Sequence, residues 1–293
     1  MSSLRSIEKI IKPPPYHWVG NGFRVHNFMP RAIMSNTRMS PFFLLDYNAK
    51  MHYEPAEGER RGVGVHPHRG LETVTLAYHG KVAHHDSAGN GGIISQGDVQ
   101  WMTAGKAILH KEYQEALFVK EGGSFQMVQL WVNLPAKHKM TDPMYQEITK
   151  SMMGRYDLPN NKGHIDIVAG EYNGIQGPAR SFTPICLYNA YLEEGAKLHF
   201  DFPEHYNTAM LVVEGSVSIN TEHEALCNDF ILFENKGTTI SVNAKEKVTL
   251  LIMSGNPIEE EIYPYGPFLM NTETEIVQAY EDYENGLFGQ LDD

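Results

Sequence analysis

Two short doublets constrain this chain more than any other feature: His66-x-His68 in V-H-P-H-R-G-L-E and His110-x-Glu112 in I-L-H-K-E-Y. In a β-strand, residues i and i+2 share a face, so each doublet presents two ligand-type side chains on one side. The first runs into Leu71-Glu72-Thr73-Val74-Thr75-Leu76, which alternates apolar and polar residues; the second follows the β-like run Val99-Gln100-Trp101-Met102. If the two strands face each other in a barrel, three imidazoles and one carboxylate converge. The expectation is a mononuclear metal site with His66, His68, His110 and Glu112 as ligands and room left for a substrate.

Either doublet alone is a weak signal, because the chain has 14 histidines and most need no special explanation. His84-His85 occupies adjacent positions, which point to opposite faces of a strand and make a poor chelate. His26, His79 and His138 have no partner at ligand spacing. Two carboxylates compete for the fourth position. Parity favours Glu112, whereas Glu72 reaches the metal only if Gly70 turns the chain; Glu72 is read as an acceptor behind the ligands. Three nitrogens and one oxygen without thiolate suit Fe(II), and iron is the expected ion; Mn, Co, Ni, Cu and Zn accept the same donors.

Short β-like runs separated by Gly, Pro and Asn follow one another through 22–28, 42–47, 72–78, 81–85, 92–94 and 126–132, which indicates a sandwich or barrel rather than βαβ units. Pro13-Pro14-Pro15 ends any helix begun at Ile7–Ile11 and leaves an extended connector. From Pro135 the pattern breaks into polar, Pro- and Met-containing sequence with a short helix expected near Tyr145–Met152. Strand-like runs then resume from His164 to Met253. The domains expected are 1–140 with the metal, a 141–163 linker, and 164–293 without metal.

The second half repeats the architecture but not the chemistry: His199, His205 and His223 give no H-x-H and no H-x-E, although Glu214-Gly215 resembles the turn His79-Gly80. A duplicated barrel with one functional copy is the simplest account. Thr272-Glu273-Thr274-Glu275 fits a capping box, and Ile276, Ala279, Tyr280, Tyr283 and Leu287 follow at helical spacing, so an amphipathic helix is expected to lie on a barrel.

The formal net charge of −12 argues against direct nucleic-acid binding, since phosphate affinity needs a basic surface. No run approaches the ~20 apolar residues of a membrane span, and Glu8 interrupts the N-terminal segment, so no membrane partner is expected and a cytoplasmic monomer is the default. Cys186 and Cys227 lack zinc-pair spacing and are read as reduced thiols.

H-P-H-R-G-L-E-T-V-T, G-D-V-Q-W-M-T-A-G, I-L-H-K-E, L-W-V-N-L and G-P-F-L-M-N-T resemble the pirin family, across nearly the whole chain and more faintly from about 140 to 260. The resemblance implies an all-β fold of two cupin (jelly-roll type) barrels in tandem with a C-terminal helix, and metal in the N-terminal barrel alone. It places the ligands at the positions matching His66, His68, His110 and Glu112, with Fe as the ion. It also implies that Gly266–Thr272 crosses back towards the N-terminal domain. One departure is the long, charged stretch from Asp46 to Gly64, which precedes the ligands and bears on access to them.

Two functions follow from that resemblance. The first is quercetin 2,3-dioxygenase activity on a flavonol with O2, Glu112 serving as general base and Trp101, Met102 and Phe43 as candidate pocket walls, although ordinary barrel core is the preferred reading of each. The second is a non-catalytic, redox-responsive iron protein that regulates a protein partner, either a transcription factor or a metabolic enzyme. A redox switch of that kind requires a partner whose affinity differs between two metal states.

Overall fold

In the computed structural model, which describes residues 3–292, the polypeptide is mostly β-strand, with a 12-residue helix near its C-terminal end. The strands sort into two compact units.

The first unit comprises Pro15–Thr37, Phe42–Thr149 and the residues from Ile258 onward. Its larger sheet has the order Met144–Ile148, Val99–Thr103, Leu71–His79, Gly123–Asn133, Phe42–Tyr53, Phe23–Met29, His17–Val19. Its smaller sheet has the order Gly62–His68, Ile108–Gln114, Val82–Asp86, Gly91–Ile94. Neighbouring strands are antiparallel throughout, and side chains from the two sheets meet between them as in a jelly roll. The reverse face of the larger sheet is buried as well: Leu45, Val74, Leu76, Trp101, Val128 and Leu130 are all inaccessible. Burial on both faces is why these strands read as nearly continuous apolar runs.

The second unit comprises the residues before Pro15, Arg38–Pro41 and Lys150–Pro257. It repeats the layout. Seven strands run Ile7–Ile11, Phe230–Phe233, Asn207–Glu214, Val248–Gly255, Ile185–Leu192, Gly163–Ala169, Gly154–Asp157, and four run Lys197–Asp201, Thr239–Ala244, Ser216–Ile219, His223–Leu226. Leu71–His79 and Asn207–Glu214 hold the same place in their sheets, and both turn on a left-handed glycine, Gly80 (φ 80°) and Gly215 (φ 79°). The likeness of His79-Gly80 to Glu214-Gly215 is therefore structural. Where the first unit sets His66 opposite His110, the second pairs Leu198 with Val242 and Phe200 with Ile240, all inside an apolar core.

The expected partition into 1–140, a linker and 164–293 does not describe these units: the chain ends are exchanged. The first residues complete the second unit, where Ile7–Ile11 is a strand on Phe230–Phe233 rather than a helix. The last residues complete the first unit. The tri-proline stands where the chain leaves one unit for the other, and the return lies between Thr149 and Lys150 rather than along a 141–163 linker. The helix expected near Tyr145–Met152 is the strand Met144–Ile148, paired with Val99–Thr103, and then a 3-10 turn. An open sheet edge satisfies the backbone of so short a segment better than an isolated helix of two turns.

The C-terminal helix, Glu273–Glu284, begins at the expected capping box: the Thr272 side chain accepts from the Glu275 amide, and Glu275 accepts from the Thr272 amide at 2.8 Å. Ile276 and Ala279 pack with Leu109, Phe268, Met270 and Phe288, and Asp282 pairs with Arg69 at 2.8 Å. Among the described residues, no helix is long and apolar enough to cross a membrane. Cys186 and Cys227 are free thiols.

Candidate metal centre

The two doublets lie on neighbouring strands. Ile108–Gln114 pairs with Gly62–His68 so that His110 stands opposite His66, with a register shift before Glu112. Ring centroids are 5.0 Å apart for His66 and His68, 4.3 Å for His66 and His110, and 4.8 Å for His68 and His110. One ring nitrogen from each lies within 4.8 Å of the others. The parity argument thus assembles the three imidazoles.

Backbone carbonyls set their tautomers. The Nδ1 of His66 lies 2.8 Å from the Gly64 carbonyl oxygen, and the Nδ1 of His68 lies 3.0 Å from that of Pro267. A carbonyl only accepts, so each Nδ1 carries a proton, which in the neutral tautomer leaves the lone pair on Nε2. Burial, then the neighbouring His66, pushes the His68 imidazole down to about 3. Burial, followed by His66, His68 and His84, holds His110 well below the ordinary histidine range. Both rings are neutral at pH 7, the ligand form. The Nε2 of His110 is buried and has no hydrogen-bond partner among the described residues. A buried orphan nitrogen facing two other imidazoles is costly unless it is ligated, so the donor set fits a divalent transition ion.

Glu112 stands differently from the expectation of a single four-ligand cluster. Its carboxylate groups with His110 and His84, while His66, His68 and His110 form a second set; His110 belongs to both. The Glu112 Oε1 accepts from Thr75 Oγ1 at 2.9 Å and Gln100 Nε2 at 3.1 Å, and its Oε2 accepts from Gln129 Nε2 at 3.2 Å. Glu112, His66 and His68 line one cavity with Asp46 and Gln129, walled by Phe23, Val25, Leu44, Met127 and Trp131.

Three sequence readings are corrected here. His84 is fully buried against His110, with Nδ1 to Nδ1 at 3.4 Å. The informative doublet was His84-x-Asp86, which obeys the same i, i+2 rule, and not the adjacent His84-His85. Glu72 is not behind the ligands. Gly70 does turn the chain, at φ 79°, but the turn sends Thr73 and Thr75 inward and Glu72 to the reverse face, where it accepts from Thr103 Oγ1 at 2.7 Å. The candidate walls fail as well, and the preferred core reading of those residues holds. Trp101 faces the reverse side, Met102 packs with Ala104 and Ile108, and Phe43 only stacks behind Trp131 at 6.4 Å. In the charged stretch, Phe42–Tyr53 is strand, and the loop beyond it places Arg60 over the Tyr113 ring at 4.9 Å.

Two jelly-roll barrels in one chain, one with a histidine cluster inside and the other with an apolar core, define a two-barrel cupin. Residues 22–132 match the pirin family, and residues 187–289 match the pirin C-terminal cupin domain. The chain belongs to the pirin family. It is 43% identical over 274 residues to the Pseudomonas aeruginosa protein named "Putative quercetin 2,3-dioxygenase PA2418", covering 93% of this chain and 94% of that protein. It is 33% identical to a pirin-like protein of Solanum lycopersicum, over 92% of this chain and 88% of the relative. The crystal structure of a quercetin 2,3-dioxygenase from Acinetobacter baumannii superposes with a TM-score of 0.92 at 41% identity, covering 98% of this chain and 99% of that one.

Proposed function

We propose that this protein is a metal-dependent dioxygenase that opens flavonols of the quercetin type with O2, and that iron is the ion it uses. One observation carries the reading: three imidazoles, one with an orphan Nε2, converge beside a cavity with aromatic and aliphatic walls. The names of relatives over 40% identical point to the same substrate class.

His66, His68 and His110 would hold the metal through Nε2, with Glu112 as the carboxylate partner of His110. When bound, the ion supplies Lewis acidity towards a coordinated hydroxyl and one-electron chemistry towards O2. Glu112 is the base for the flavonol 3-hydroxyl. Its Oε2 accepts a single hydrogen bond, from Gln129 Nε2, and so keeps a lone pair that takes the proton. Trp131, Phe23 and Met127 receive the flat rings and exclude water. Asp46 faces the same cavity; burial raises its carboxyl against the opposing hydrogen bond from Asn27, and it offers a polar contact for substrate oxygens.

The test is loss of quercetin absorbance in air with protein reconstituted separately with Fe, Mn, Co, Ni, Cu and Zn. Turnover with Fe, absent under anaerobic conditions and in His110→Ala, is expected. Stoichiometric metal with no turnover would overturn the dioxygenase reading and favour a redox-responsive regulator.

A further inference from the structure

Behind His110 lies a second buried polar pair that the ligand set does not use. Val82–Asp86 is hydrogen-bonded to Ile108–Gln114, and His84 and Asp86 are among its inward-facing residues. The Nε2 of His84 lies 3.2 Å from Asp86 Oδ2, and its Nδ1 lies 3.4 Å from His110 Nδ1. All three residues are at most 3% exposed. Tyr145 stacks on the His84 ring at 5.1 Å and 19°, which fixes its plane.

We propose that Asp86 and His84 form a carboxylate–imidazole relay that orients His110 as an Nε2 ligand and passes negative charge to the bound ion. The inference rests on the metal reading above. Its direction is set by Asp86, which also accepts from the Ala88 amide at 2.9 Å, the Asn90 amide at 3.0 Å and Asn90 Nδ2 at 3.2 Å. Three N–H groups already donate to this carboxylate, which marks Asp86 as the acceptor towards His84 as well. The proton between Asp86 and His84 therefore sits on His84 Nε2. With its proton on Nε2, the His84 ring offers Nδ1 as the acceptor for the His110 Nδ1 proton. His110 is left with its lone pair on Nε2, the orphan atom facing His66 and His68. In the opposite arrangement a lone pair on His84 would face an anion, and His110 would carry a buried Nε2 proton with no acceptor.

His84 and Asp86 act through His110 and are positioning residues. Outer hydrogen bonds of this kind orient a ligand and raise its basicity, and their loss typically costs about 10- to 100-fold in metal affinity. The experiment compares wild type with Asp86→Asn, which keeps size and an acceptor but removes the charge. Zn(II) affinity is measured by chelator competition, and the Fe(III)/Fe(II) potential of the loaded protein by redox titration. In parallel, 15N imidazole NMR of Zn(II)-loaded wild type reads the tautomers without any variant.

Expected are weaker Zn(II) binding by about 10- to 100-fold and a more positive potential in Asp86→Asn, since less negative charge reaches the oxidised ion. In wild type, protons should sit on His84 Nε2 and His110 Nδ1. Reversed tautomers would overturn the relay even if Asp86→Asn failed to fold. A folded Asp86→Asn with an unchanged potential would overturn charge delivery, whatever its affinity. Wild type that binds neither ion would instead overturn the metal reading, and the relay with it.

Discussion

The ammonium of Lys139 donates to the backbone carbonyl of Leu269 at 2.7 Å, and it also donates to the Gly70 carbonyl at 2.9 Å and to Asn133 Oδ1 at 2.6 Å. Gly70 is the turn just after His68. Leu269 follows Pro267, whose carbonyl receives the His68 Nδ1 proton. One buried lysine therefore fastens the returning C-terminal segment to the loop that carries a candidate ligand.

Lys139→Met should leave three buried acceptors without a donor and destabilise the metal-free protein by on the order of 3–5 kcal/mol. Urea unfolding measures this. A midpoint equal to wild type would show that water replaces the ammonium.

Glu72 predicts an unusual pH dependence. Burial, opposed by the hydrogen bond from Thr103, raises its carboxyl to about 7. Between about 4.5 and 7 the native state then holds a proton that the unfolded chain has released. Stability from this group is full below about 4.5 and is lost as pH rises through 7, on the order of 3 kcal/mol in all. Glu72→Gln should flatten that part of the profile and melt higher than wild type at pH 8. Parallel melting-temperature curves from pH 4.5 to 8 would sink the idea.

Glu112→Gln separates the two tasks assigned to that residue. The three imidazoles should still retain metal, more weakly, while flavonol turnover falls about 10²- to 10⁴-fold with loss of the base. Metal analysis beside single-turnover kinetics distinguishes them. Turnover at the wild-type rate would remove Glu112 as the base.

Arg5 tests the exchange of chain ends. It is fully buried and donates to the Tyr206 carbonyl at 2.8 Å, the Pro203 carbonyl at 2.6 Å and Thr208 Oγ1 at 3.0 Å. Arg5→Met should destabilise the unit built around 150–257 by about 3 kcal/mol or more, read by hydrogen exchange in Asn207–Glu214. Unchanged protection there would mean that the buried Arg5 contributes nothing to the stability of that barrel.

Much of this was legible from local pattern. The i, i+2 spacing of His66-x-His68 and His110-x-Glu112 anticipated which side chains share a face, because strand alternation depends only on the backbone. The capping box at Thr272 anticipated the start of the last helix for the same reason: its hydrogen bonds close within four residues. Met144–Ile148 was misread because five residues carry no period long enough to separate strand from helix, and the free edge at Val99–Thr103 decided it.

By itself the sequence determined most of the strands, their turns, the parity of each doublet and the absence of H-x-H and H-x-E doublets in the second half. Tertiary structure alone decided which parity faces the cavity. Gly70 turns Glu72 outward although it lies four residues from His68, and strand pairing brings His84-x-Asp86 behind His110 although it lies 26 residues away. It also decided that the two chain ends complete each other's barrels. These choices depend on register between distant strands, and neither spacing nor composition along one strand encodes the neighbour against which that strand will pair.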